Sequence, residues 1–77
     1  MENKEITFEI VRHIGVVSEG GKGWRKELNL VSWNGREAKI DLREWSQDHL
    51  HMGKGVTLTQ EEGVRVAELL SAHVKGL

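Results

Sequence analysis

The sequence predicts an α+β domain of four antiparallel strands followed by one C-terminal helix, in the order β-β-β-β-α. Three observations carry this. Ile6, Phe8 and Ile10 alternate with Thr7 and Glu9, the period of a half-buried strand. Asn34-Gly35 sits between two alternating runs, and this pair suits a tight hairpin because both turn positions need positive φ. Thr59-Gln60-Glu61-Glu62 then spells a capping box ahead of apolar residues at helical spacing.

The elements follow in order. Ile6–Val17 reads as the first strand, its alternation blurring from Val11 onward, with Gly15 marking a bend or bulge. Ser18-Glu19-Gly20-Gly21-Lys22-Gly23 reads as a loop. Trp24–Trp33 is the second strand, with Trp24, Lys26, Leu28, Leu30 and Ser32 on one face and Arg25, Glu27, Asn29, Val31 and Trp33 on the other. Arg36–Trp45 returns after the turn. Ala38, Ile40 and Leu42 share one side, and Glu37, Lys39, Asp41, Arg43 and Trp45 share the other. The leucines and Ile40 mark their face as the core, which leaves Trp33 and Trp45 on an open face. Ser46–Lys54 is polar and reads as a loop, and Gly55–Leu58 as a short fourth strand. The helix is expected over Gln60–Lys75, covering one sheet face; Gly63 weakens its first turn by about 1 kcal/mol and Gly76 suits its C-terminal cap.

Seventy-seven residues make one domain, spanning 1–77, and such a chain buries too little surface to be comfortable alone. There is no cysteine, so neither a disulfide nor a thiolate metal site is available. What remains is a good monomeric core, a metal held by His and carboxylates, or a partner chain. Val66, Leu70 and Val74, with Val64 and Ala67, put apolar surface on more than one side of the helix, which predicts a helix-mediated symmetric homodimer. No apolar run reaches about 18 residues, so no membrane partner is expected. The charged N-terminus has no secretory h-region, and a cytoplasmic location is expected.

The formal net charge is −1, but its distribution is uneven. Between residues 22 and 43 six cations face three carboxylates; from residue 48 onward three cations face four. The basic stretch is interleaved with tryptophan: Lys22, Trp24, Arg25, Lys26, Trp33, Arg36, Lys39, Arg43 and Trp45, with Lys54 further on. Cations that track phosphates and flat rings that take unpaired bases are what a single-strand binder needs. Tryptophan is more often a core residue and strand charges more often a solvated face, so the parity of Trp33 and Trp45 decides in favour of binding. Trp24 has the parity of the core face, and Lys22 lies in a loop able to wrap a strand.

Enzyme motifs are absent: no His-Glu-x-x-His, phosphate loop or nucleophile elbow occurs, and neither catalysis nor a cofactor is expected. His49-x-His51 with Asp48 has metal-ligand character but chance spacing, and no metal site is expected. Two other readings use the same face. A protein partner would bind it with little salt dependence, and RNA would stack on it as DNA does.

Three segments, in order and spacing, resemble a known family: Trp33-Asn34-Gly35-Arg36, Lys39-Ile40-Asp41-Leu42-Arg43-Glu44-Trp45, and Met52-Gly53-Lys54-Gly55-Val56-Thr57-Leu58-Thr59. They are similar to the single-stranded-DNA-binding domain of the transcriptional coactivator positive cofactor four, and most similar to its short bacterial, YdbC-like branch. The resemblance covers about residues 6–75. It implies a strongly curved sheet, a dimer paired largely through the helices, and two grooves for single-stranded DNA with little sequence preference. Trp33 maps to the stacking aromatic before the turn and Arg36 to the basic residue after it. Arg43 and Trp45 map to the Arg-Glu-aromatic segment, and Lys54 to the lysine before the fourth strand. Partners in transcription, replication or repair are implied likewise. The sequence departs by one extra residue between the turn and Ile40, by the short Ser46–His51 loop, and by lacking a serine-rich tail.

Overall fold

A computed structural model describes residues 6–74. Four strands, β1 (Phe8–Glu19), β2 (Arg25–Trp33), β3 (Lys39–Trp45) and β4 (Met52–Leu58), form one antiparallel sheet in sequence order, followed by helix α1 (Gln60–His73). A short 3-10 turn, Gly21–Gly23, joins β1 to β2. The β-β-β-β-α order is as the sequence predicts. The helix starts where the capping box places it: the Glu62 N–H donates to Thr59 Oγ1 (3.0 Å) and the Thr59 N–H to Glu62 Oε1 (2.9 Å). It ends at His73, with Val74 as its cap; Lys75 and Gly76 lie outside the described residues.

The β2–β3 hairpin turns on Asn34 (φ 54°) and Gly35 (φ 75°), closed by the Arg36 N–H on the Trp33 carbonyl (3.0 Å). A plain two-residue turn would set Leu30 opposite Lys39. The observed ladder pairs Leu30 with Ile40 and Leu28 with Leu42. The extra residue before Ile40 is therefore absorbed next to the turn, and apolar faces apolar. For the same reason β3 begins at Lys39 rather than Arg36.

Two other boundaries differ. β1 extends to Glu19 because it shifts register against β2 at three places, Ile10/Arg12, His13/Gly15 and Val16/Ser18. Each shift spends an extra β1 residue, which is why the period-2 pattern fades. β4 starts at Met52, earlier than Gly55, because a compact loop returns the chain at once. Within it the Ser46 N–H reaches the His51 carbonyl and His49 adopts φ 61°, so Met52 pairs with Trp45.

The sheet curls strongly. Phe8 pairs with Trp33, while Trp45 pairs with Arg25, eight residues along β2. In a flat sheet those positions would be about 26 Å apart. Yet the Phe8 ring lies 6.0 Å from Trp33 and 5.1 Å from Trp45. The strands bend so that their ends meet over a concave face.

This curl reverses the expected inside and outside. The parities hold, but the buried side is that of Glu27, Asn29, Val31, Asp41 and Trp45, all at most 1% exposed. Leu28, Leu30, Ile40 and Leu42, expected as the core, are only half-buried on the convex side, and their neighbour Val56 is 48% exposed. The helix does not cover that side within one chain. It has no buried residue and meets the sheet near its first turn, where Gly63 rests on Ile40. A Cβ at Gly63 would overlap the Ile40 side chain, so the glycine that costs helix propensity is also the contact point. A Cβ at Gly55 would overlap Arg43 and the Leu42 carbonyl. Gly55→Ala should accordingly lower stability by about 1–3 kcal/mol, read as a fall in the denaturant midpoint at unchanged slope.

Candidate nucleic-acid interface

The β2–β3 hairpin carries Trp33 at its tip, half-buried beside Phe8. The Arg43 guanidinium carbon stands 5.0 Å from the Trp33 ring centroid, a cation–π contact. Arg43 is held rigidly there. Its Nε and Nη2 donate to Asp41 Oδ1 (2.7 Å) and Oδ2 (3.0 Å), and Nη1 donates to the Gly53 carbonyl (3.1 Å). Asp41 is fully buried and also accepts from Thr57 Oγ1 (3.0 Å). A ladder Thr57–Asp41–Arg43–Trp33 thus runs from β4 across β3 to the ring. Arg43 is 14% exposed, so it acts here as the strut of Trp33 and not as a free cation.

The other expected residues divide by position. Arg36 and Lys39 are exposed at the same hairpin end as Trp33. Lys22, exposed, and Trp24, half-buried, stand at the opposite end of β2, where they line a shallow hollow of about 350 Å³ with Gln47 and His51. Lys54 is exposed on the outer strand β4. Two expectations need correction. Trp45 is fully buried beneath Phe8 and His49, so it offers no ring to a base. Lys26 pairs with Glu44 in the ladder that carries Leu28 and Leu42, on the convex side away from Trp33.

Arg25 belongs to a second cluster that sequence reasoning missed. Its Nη2 lies 3.2 Å from Glu27 Oε2. Glu27 also accepts from Asn29 Nδ2 (3.2 Å) and from His49 Nε2 (3.0 and 3.1 Å). His13 Nδ1 donates to Asn29 Oδ1 (2.7 Å) and lies 3.7 Å from Glu27. Burial alone would raise the Glu27 pKa. The hydrogen bonds from Asn29 and His49, with the charge of the two histidines, outweigh it and hold the carboxyl below its ordinary 4.5. The signal in the sequence is the shared parity of Arg25, Glu27, Asn29 and Trp33. His49 and Asp48 do not converge: Asp48 accepts from Ser46 Oγ and the Leu50 N–H, while His49 turns to Glu27. Among the described residues no group of three or more metal-ligating side chains assembles.

A meander curled around aromatic rings, with a guanidinium on its half-exposed tryptophan and cations at the hairpin tip, has the make-up of a nucleic-acid-binding module. Sequence comparison agrees with that class. Residues 21–69 match the family model described as Transcriptional Coactivator p15 (PC4), and the chain belongs to that family. It is also 47% identical, over 70 residues, to an uncharacterized protein of Treponema pallidum (strain Nichols), an alignment covering 91% of this chain and 82% of the relative.

Proposed function

We propose that this chain binds single-stranded DNA with little sequence preference, as a symmetric homodimer, in transcription, replication or repair. The observation that carries the reading is the braced Trp33 ring, held by Arg43 with Arg36 and Lys39 beside it. A ring fixed in advance loses little freedom on stacking, and sequence tolerance follows because every base has a π-face. Lys22 and Lys54 supply further exposed cations, and Trp24 a further half-buried ring.

The dimer rests on surface. The helix leaves apolar side chains uncovered in the places a partner would use. Val66 is 39% exposed, Leu70 49% and Val74 44% on one helical stripe, beside the half-buried leucines of the convex side.

The test is tryptophan fluorescence on adding a thymine oligonucleotide of about 20 bases at low and moderate salt, with duplex as control. Quenching by the single strand that exceeds the duplex response and weakens with salt is expected. Because Trp45 is buried, Trp33→Ala should remove most of that quenching and weaken binding roughly 5- to 150-fold, the range of one lost stacking contact. A folded Trp33→Ala protein that binds like the parent would place the groove elsewhere.

A further inference from the structure

The second cluster encloses a hollow of about 220 Å³ lined by Ile10, His13, Arg25, Glu27, Asn29 and His49. Ligand pockets for whole small molecules usually run to roughly 300–1,000 Å³, so this one suits a single group. Its carboxylate is not what it presents. Glu27 is 1% exposed and its oxygens are already engaged, so it cannot read the edge of a base. The outward groups are His13 (51% exposed), Arg25 (36%) and His49 (32%), all nitrogen donors. Three donors around a small hollow on the concave side of β2 fit a phosphate.

Charge sets the condition. Arg25 and Glu27 cancel, so with neutral imidazoles the cluster offers a polyanion no net attraction. The free ring nitrogens change that. Nδ1 of His13 is committed to Asn29 and Nε2 of His49 to Glu27, leaving Nε2 of His13 and Nδ1 of His49 to take a proton. The surrounding charges are these. Glu19 stands opposite Arg25 in the β1–β2 ladder, an exposed carboxylate that adds to the need for imidazolium. Arg43 lies opposite Glu27 on β3 but donates to Asp41. Arg12 pairs with Leu30 on the convex side. On the His49 loop, Asp48 is occupied by Ser46 and Leu50, with His51 beyond it.

We propose that His13, Arg25 and His49 form a phosphodiester subsite at the end of the groove away from Trp33, and that a strand entering it drives protons onto the two imidazoles. This rests on the single-strand-binding reading above. Glu27 is a positioning residue: it stays ionised and orients the donors. Linkage is reciprocal, so bound phosphate favours imidazolium and imidazolium favours the strand. Affinity rises as pH falls through the histidine range.

The experiment measures affinity for the thymine oligonucleotide at fixed salt from pH 8.5 to pH 5.5, by anisotropy with a dye that does not titrate there. The parent should bind at least about fivefold more tightly at pH 6 than at pH 8, the lower end of usual couplings. His13→Gln/His49→Gln should bind with a flat profile, and His73→Gln, on the helix, should keep the parent's slope. In the unsubstituted protein, the imidazole ring-proton resonances of His13 and His49 should move when the oligonucleotide is added. A flat parent profile, a double variant that keeps the slope, or imidazoles unmoved by the strand would each overturn the subsite. Absence of binding at every pH would instead overturn the groove itself.

Discussion

Asp41→Ala should cost about 3–5 kcal/mol, enough to unfold much of a domain this small at ordinary temperature. Asp41 is fully buried and takes two hydrogen bonds from Arg43 and one from Thr57. Truncation leaves a nearly buried guanidinium without its counter-charge, and it removes the acceptor that joins β3 to β4 on the concave side. The strut beneath Trp33 goes with it, so single-strand affinity should fall even where the chain stays folded. Asp41→Asn keeps one acceptor oxygen and the shape but not the charge, and should fall between. Denaturant unfolding by circular dichroism gives the readout. A loss under about 1 kcal/mol for Asp41→Ala would mean that the ladder is not what braces the sheet.

The second large effect is expected on the helix. Val66→Asp should convert a species of twice the chain mass into one of single mass by sedimentation, and lower the melting temperature together with the helical signal. Placing a carboxylate inside an apolar contact without a partner costs about 3–5 kcal/mol. Within one chain Val66 is 39% exposed and α1 has no buried residue, so the substitution has little to disturb unless another surface covers it. An unchanged sedimentation profile and melt would remove the helix from the interface. The same outcome would leave Trp33 and its test intact, because the two lie on opposite sides of the sheet.

These two positions show what was legible in the sequence and what was not. Local chemistry was legible: Asn34-Gly35 gave the turn, Thr59 and Glu62 gave the helix start, and the alternation of β2 and β3 gave two correct sets of side chains. Which set lies inside was not. Leu28, Leu30, Ile40 and Leu42 look like a core because an apolar surface that one chain leaves half-covered has the same composition as one it covers fully. Glu27, Asn29 and Asp41 look solvated because the pairing that permits their burial comes from other strands and from the 46–51 loop, at separations a local pattern does not register. Trp45 follows the same rule. Its parity with Trp33 is right, but the bend of the sheet places Phe8 and His49 over it. Of the site residues, Trp33, Arg36 and Lys39 share a location that hairpin geometry alone supplies, whereas the His13–Glu27–His49 grouping required the fold.

The irregular register of β1 also matters at the sheet's margin. β1 and β4 are its outer strands, and an outer strand ordinarily offers a template on which a further strand can add, the first step towards a fibre. β1 interrupts its own spacing at three points, so a straight incoming strand would find its amide and carbonyl groups out of step almost at once. β4 offers Gly53, Lys54 and Gly55 along half its length, a poor match for a neighbouring strand. The chain can therefore carry a broad apolar side and two open margins while its edges discourage the addition of further strands, a mode of growth that has no natural end.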